Sequence, residues 1–513
     1  MPQPQQSLEA AQDLCARAPR APGPWAALAR LLLEAGRSAE AVAAAERALA
    51  LEPRHAAARS VRKAAVAALE AADPSLAKLE LIAALHADDA AAHLNLGQAY
   101  VELDLPADAE RCFKRCLALA PGLAAAHASL GALYLSVGID DGARHHAGQA
   151  LALEPAQAVA SQTLATLAER SGDPAAAQDL LDAAYRRQSL YVEPARDSQM
   201  TVLVLATQTD GNIPYRHIMP PQRYTRLIWY MEHARDDQWG ALPPYELVFN
   251  TIGDPDLAVG SAEPVRRFLA RCARPVLNDP AKVARTHRDR TPQLLGDIAD
   301  VLVPAAARLS AETIERLGLD LAVARAGLSG PVLVRPIGSH GGRGLARAET
   351  DEALQVLGAE LAGQDLYVTQ YCDYRSADGL YRKGRMIFIN RAPYPYHWAI
   401  SDHWLVHYES AGMGPQPDRQ AEERRFLAAP DQVIGARAVA ALAAIGQRLD
   451  LDYCGVDFSL TPDGRVLVFE ANATMFVHPE PPGSALDYKN PAVLQIIDAF
   501  QAHLTQLASH TDT

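Results

Sequence analysis

The sequence predicts a multidomain chain: an all-α solenoid of paired helices, then an α+β fold with an α/β subdomain ahead of it. Three observations predict this. Residues 21 to about 190 are dominated by Ala, Leu, Glu and Arg, the composition of helices. That stretch repeats with a period of 34 residues. Beyond about residue 198, Val, Ile, Tyr, Trp, Pro and Gly rise, and short β-type runs appear, such as Thr201–Ala206 and Glu246–Thr251.

The 513 residues allow two to four domains, and 49% apolar content supplies real cores. A net charge of −13 argues against general nucleic-acid binding, which calls for a basic stripe, but leaves room for a local phosphate pocket. Cys15, Cys112, Cys116, Cys272, Cys372 and Cys454 form no Cys-x-x-Cys pair, and Cys112 and Cys116 share a helix face as small core residues. No disulfide framework is expected, which fits a reducing cytoplasm. Residues 1–20 read as a flexible N-terminus, since Met1–Ser7 is Pro/Gln-rich and lacks an apolar signal core. No run of about 18 apolar residues occurs, so no membrane span is expected.

The repeat region, 21–190, is punctuated by Pro53, Pro121 and Pro155, separated by 68 and 34 residues. Ala41, Ala109, Ala143 and Ala177 keep the same phase, as do Gly97 with Gly131 and Tyr100 with Tyr134. The phase is lost at Ser75 and Ala87, so a degenerate repeat is expected across 54–87. Small residues at Gly97 and Ala109 let two helices approach, Tyr100 and Phe113 fill the space between them, and Pro121 ends the second helix. The pattern Leu94-x-x-Gly97-x-x-Tyr100, then Ala109, Phe113 and Pro121, resembles the tetratricopeptide repeat. Stacked hairpins of this kind leave a concave surface for a peptide or protein; a spacer or dimerisation role is the alternative. His145 and His146 read as solvated helix surface.

Residues 191–198 read as a linker, and 199–278 as an α/β subdomain. Four later segments carry chemistry. After the turn Val276–Pro280 come Lys282, Arg285, Arg288 and Arg290; a helix would put Lys282 and Arg285 on one side, and one of these cations is expected to reach a phosphate. Next, the β-run Pro331–Val334 ends at Arg335 and Pro336, followed by Gly338, Ser339, His340, Gly341, Gly342, Arg343 and Gly344. This is neither a Walker loop nor a Rossmann fingerprint, and its glycines suit a flexible flap whose N–H groups approach phosphate oxygens.

The third segment, Asp365–Asp373, is a β-run in which Gln370, Tyr371 and Cys372 suit backbone recognition of a base in an apolar slot. The fourth, Asp452–Asn472, reads as a hairpin turning at Asp463-Gly464. A two-residue turn there pairs positions whose numbers sum to 927, so Asp457 faces Glu470, and Asn472 shares that side. Two facing carboxylates repel; a hard cation such as magnesium relieves this with oxygen ligands.

In order and character these segments resemble the ATP-grasp superfamily over roughly residues 200–505. The resemblance divides that stretch into the α/β subdomain, a lid at 279–373 and a core at 374–505, with 506–513 as a flexible tail. It implies that Lys282 or a neighbour, Arg335, the 338–344 flap and Gln370–Cys372 hold ATP. It also implies that Asp457, Glu470 and Asn472 bind magnesium, and that Arg385 stabilises the transferred phosphate. Arginine at 335 replaces the usual lysine, and Ala473–Phe476 departs from the usual loop after the last ligand.

The reaction this implies is ligation of a small-molecule or peptide carboxylate to an amine or thiol through an acyl phosphate. The repeats would recruit the substrate or a protein partner, and relatives often form homodimers. The alternatives are a kinase on the same nucleotide site and a nucleotide-sensing interaction protein. Tyr394, Tyr396, His397, Trp398, His403, Trp404, His407 and Tyr408 crowd one segment in a chain of 6% aromatics. They line the substrate pocket, with His397, His403 and His407 as contacts, or they form an aromatic core under the sheet.

Overall fold

The computed structural model describes residues 4–70, 74–103, 105–195, 197–208, 211–339, 342, 344–408 and 410–509, in two compact units, Met1–Gln188 and Ser189–Thr513.

The regular structure among the described residues of the first unit is all helix. A leading helix, α1 (Pro4–Arg17), precedes five helix pairs: α2 (Pro22–Glu34) with α3 (Ser38–Leu51), α4 (Ala56–Glu70) with α5 (Pro74–Leu85), and α6 (Ala90–Glu102) with α7 (Pro106–Leu119). Then come α8 (Ala124–Ser136) with α9 (Asp140–Leu153), and α10 (Ala158–Arg170) with α11 (Pro174–Arg187). The phase-breaking stretch holds α4 and α5, and α5 packs more on α3 than on α4. The expectation of a flexible N-terminus is corrected: Leu8, Ala11 and Cys15 follow helical spacing, and Cys15 is buried in the core of the first repeat.

The phased small residues act at close helix crossings. Ala41, Ala109, Ala143 and Ala177 are buried. A Cβ at Gly97 would lie 2.5 Å from the Phe113 ring, and one at Gly131 would lie 3.0 Å from the Ala147 backbone nitrogen. Tyr100 and Tyr134 each send a hydroxyl to a glutamate of another helix, Glu80 at 2.6 Å and Glu110 at 2.8 Å.

The described residues of the second unit form three sheets. The first orders β1 (Leu190–Glu193), β3 (Tyr224–Tyr230), β2 (Met200–Ala206), β4 (Leu247–Asn250) and β5 (Val276–Leu277) as β1-β3-β2-β4-β5. The residues read as a linker therefore begin in a strand: β1 pairs antiparallel with β3 through alternating Leu190 and Val192. A second sheet, in the stretch expected to be the lid, is β7 (Ala306–Leu309), β10 (Leu366–Gln370), β8 (Val332–Pro336) and β9 (Ala346–Ala348), all antiparallel. β6 (Val301–Leu302), inside the stretch expected to be lid, instead joins the core sheet beside β14.

The core sheet runs β12 (Ala392–Ser401), β11 (Tyr381–Ile389), β13 (Tyr453–Leu460), β14 (Val466–Asn472), β6. Its residues alternate strictly enough to give two unlike faces. One face, with Phe388, Trp398 and Phe458, packs under the helices Pro417–Ala428 and Pro430–Leu449; Trp398 stacks on Phe426 at 4.9 Å. The other face carries the charged residues of the strands. The final helix, Asn490–Ser509, extends into the residues expected to be a flexible tail, with Phe500 and Leu504 buried.

Candidate nucleotide and phosphate site

The hairpin β13–β14 does not turn as the sequence suggests. Thr461 N–H donates to Arg465 O at 2.9 Å, so three residues close the loop, with Gly464 at φ +81°. Near the turn, pairs therefore sum to 926: Leu460 with Val466 and Phe458 with Val468. A bulge at Phe469 then adds the missing residue, and Asp457 pairs with Glu470 after all. The bulge also turns Phe469 toward the same cleft as Glu470, where its ring meets Tyr374 edge-on at 4.8 Å.

Register extends the row. His397, Arg385, Asp457 and Glu470 are successive partners across β12, β11, β13 and β14. Arg385 grips Asp457 with both ends of its fork, at 2.6 and 3.1 Å. Lys383, two residues along β11, adds a contact of 2.7 Å to Asp457. Arg288 pairs with Glu470 from outside the sheet. Burial pushes both carboxyls up, but these neighbours prevail: Arg385 and Lys383 hold Asp457 far below the usual range, and Arg288 and Arg335 lower Glu470. The repulsion expected between two facing acids is thus relieved by protein cations.

Above this row is a cleft of about 480 Å³. Leu333, Leu345, Tyr371, Cys372, Leu467 and Phe469 give it apolar walls, while Arg288, Arg335, Lys383 and Glu470 charge one part. Gln370 fixes the end of β10: its N–H donates to Ala305 O at 2.8 Å, and its side-chain amide to Ser329 O and Pro331 O at 2.9 and 3.0 Å. That side chain is engaged with the protein, and the Tyr371 N–H donates to Pro331 O at 3.0 Å.

Arg335 bends back to Ser339, donating to its hydroxyl at 3.2 Å and to its carbonyl. Burial, together with Arg288, brings its guanidinium down to about 10. Gly338, Gly342 and Gly344 of the flap all have positive φ. Gly344 needs its bare Cα, since a Cβ would lie 3.0 Å from Pro336. Gly341, with His340 and Arg343, lies outside the described residues.

Lys282 is not where the sequence suggested. Its ammonium pairs with Asp450 at 2.6 Å, and Arg285 donates to Arg448 O at 3.0 Å. Arg288 is the cation of that group that lines the cleft, because the chain forms two short turns there and not one continuous helix. The histidines separate too. His407 lines the cleft, His403 is exposed, and His397 is buried, stacked on Tyr408 at 4.7 Å. Burial and the neighbouring Arg385 push His397 well below its usual range, so it is neutral.

Sequence reasoning missed Lys383, although its place two residues before Arg385 on one strand face was a usable signal. It also missed the polar group behind His397. Glu423 is buried and accepts from Tyr408 and Tyr488 at 2.9 and 2.5 Å, and the buried Lys489 pairs with Glu480 at 2.6 Å. Nothing local in the sequence marks those residues.

The oxygen donors suit a hard cation only in part. Among the described residues, no group of three or more His, Cys, Asp and Glu is placed to hold a metal. Glu470 faces the cleft and fits. Asn472 sends its Nδ2 to Glu470 Oε1 at 2.5 Å while its oxygen accepts from Thr474, so a half-turn of the amide would add an oxygen beside Glu470. Asp457 does not fit, as both of its oxygens are taken by Arg385 and Lys383.

The model of the tetratricopeptide repeat family matches residues 23–55 and 90–122. The chain carries tetratricopeptide repeats. Over 35% of its length it is similar to the tetratricopeptide-repeat protein YrrB, described as having an unusual peptide-binding site, with 20% identity, 93% of that chain covered and a TM-score of 0.22. Beyond the tetratricopeptide unit, it is similar to D-alanyl-alanine synthetase A of Vibrio cholerae, at 16% identity over 61% of this chain and 98% of that one, TM-score 0.37. It is also similar to a RimK-domain ATP-grasp protein of Sphaerobacter thermophilus, at 16% identity over 58% and 96% of the two chains, TM-score 0.33. No curated protein matches the chain by sequence.

Proposed function

We propose that the second unit is a magnesium- and ATP-dependent ligase that joins a carboxylate to an amine or thiol through an acyl phosphate, and that the tetratricopeptide repeats recruit a peptide or protein. One observation supports the nucleotide reading above all: an apolar cleft of which one part is lined by Arg288, Arg335 and Lys383 beside a single carboxylate, Glu470. Three cations against one acid on the cleft wall are a charge that a polyphosphate would answer. An adenine between Leu333, Tyr371 and Phe469 would place its phosphates toward that cluster.

Phosphoryl transfer asks chiefly for positioning and charge neutralisation. Magnesium bound at Glu470 and Asn472 would neutralise phosphate charge. Arg335 and Arg288 would hold the bridging phosphates, and the glycine flap would exclude water. A substrate carboxylate oxygen attacks the terminal phosphorus and ADP leaves; the amine then attacks the acyl carbon, phosphate leaves, and the amine loses a proton. Arg385, fixed by Asp457, would hold the transferred phosphate through both steps.

The test is a turnover screen of the full chain against pooled amino acids and peptides, reading ADP, free phosphate and product mass. ADP with phosphate and a condensed product supports the ligase. ADP with a phosphorylated product and no free phosphate would replace it with a kinase.

A further inference from the structure

Asp457 stands where the sequence pattern asks for a metal ligand, yet it is among the most fully answered carboxylates in the molecule. It is 2% exposed. A carboxylate offers about four lone-pair positions. Arg385 Nε takes Oδ1 at 2.6 Å, Arg385 Nη2 takes Oδ2 at 3.1 Å, and Lys383 Nζ takes Oδ2 at 2.7 Å. Two full positive charges already face one negative charge, and a divalent ion on the remaining Oδ1 position would gather four positive charges on a single carboxylate. Glu470 differs: among the described residues its one ion-pair contact is Arg288, and it opens onto the cleft.

Lys383 is the informative partner. It is the lysine that lines the cleft, with its side chain 21% exposed, whereas an ion pair made only for structure gains nothing from facing the cavity. Its strand neighbour Arg385 anchors the carboxylate from one side, leaving the ammonium on the cleft side. An ammonium has three donors that rotate freely, so one can stay on Asp457 while others turn to a phosphate oxygen.

We infer that Lys383 takes the place of one of two divalent ions: anchored by Asp457, its ammonium binds the polyphosphate directly, and the site takes up a single metal ion, at Glu470 and Asn472. This rests on the nucleotide reading above and deepens it by assigning Asp457 as an anchor for Lys383 and not as a metal ligand.

The experiment counts manganese(II) bound by the full chain with a non-hydrolysable ATP analogue, by electron paramagnetic resonance, alongside nucleotide affinity by calorimetry. One manganese ion per bound nucleotide is expected. Lys383→Met, which keeps the length and removes the charge, should weaken analogue binding about tenfold at saturating manganese, while circular dichroism shows the chain folded. Two manganese ions per nucleotide, or unchanged affinity in the folded variant, would overturn the inference and leave the ligase reading intact. Wild-type chain that binds no nucleotide at any manganese concentration would bring down both.

Discussion

Tyr367 donates its hydroxyl to Asp256 at 2.9 Å, so a strand of the lid holds a loop that follows β4 of the first sheet. Arg308 of β7 and His287 reach the same carboxylate, each at 3.0 Å. Beside it, Leu257 meets the flap: a Cβ on Gly338 would lie 3.4 Å from its side chain. One half-buried acid thus joins these three segments to its own loop. Removing a hydrogen bond to a charged group costs about 1.5–3 kcal/mol. Tyr367→Phe should therefore loosen the lid and speed dissociation of a fluorescent ATP analogue about tenfold in stopped flow. An unchanged dissociation rate would mean that the latch does not govern opening.

The two cations suggested by sequence for phosphate binding now separate. Arg335→Met removes a half-buried charge from the cleft, and nucleotide affinity should fall about ten- to a hundredfold by calorimetry. Lys282→Met breaks a partly exposed pair with Asp450 and should leave affinity unchanged. The reverse ranking would restore the sequence-based assignment.

His403 and His407 are four residues apart, but only His407 lines the cleft. His407→Ala should raise the KM for ATP several-fold, and His403→Ala should leave kinetics at the wild-type level. Equal effects from both would return them to one common pocket.

In the tetratricopeptide unit, His146 of α9 meets His127 of α8 through their Nδ1 atoms at 3.0 Å. Burial, then the charges of His127 and His145, bring His146 down to about 4 from a usual value near 6.5. Its unfolded form binds more protons within that window, so the stability it contributes is present above about pH 6.5 and lost as pH falls toward 4. The hydrogen-exchange protection factors of α8 and α9, taken against the intrinsic rate at each pH, should fall as pH drops over that range in the wild type and much less in His146→Leu. The same fall in the variant would assign the loss to other groups.

The helical period was legible because each phased residue answers a steric demand: Gly97 meets the Phe113 ring and Gly131 a backbone atom, whatever else surrounds them. The facing of Asp457 and Glu470 was legible for a less secure reason. The loop is one residue longer than the Asp463-Gly464 pair suggests, and the bulge at Phe469 restores the count. Alternation along a strand encodes which side a residue faces, but neither loop closure nor bulges. What sequence could not supply was partner choice across long separations. Arg288 over Lys282 depends on two short turns in place of one helix, and the burial of Lys489 against Glu480 depends on how the last helix meets the core.

A polyphosphate is expected between Arg335, Arg288 and Lys383, with its base against Tyr371 and Cys372. A crystal structure of the full chain with magnesium and a non-hydrolysable ATP analogue tests it directly. The purine should lie between Leu333 and Phe469, with phosphate oxygens within hydrogen-bond reach of all three cations. A nucleotide bound elsewhere, or phosphates that leave the Glu470 face untouched, would contradict it.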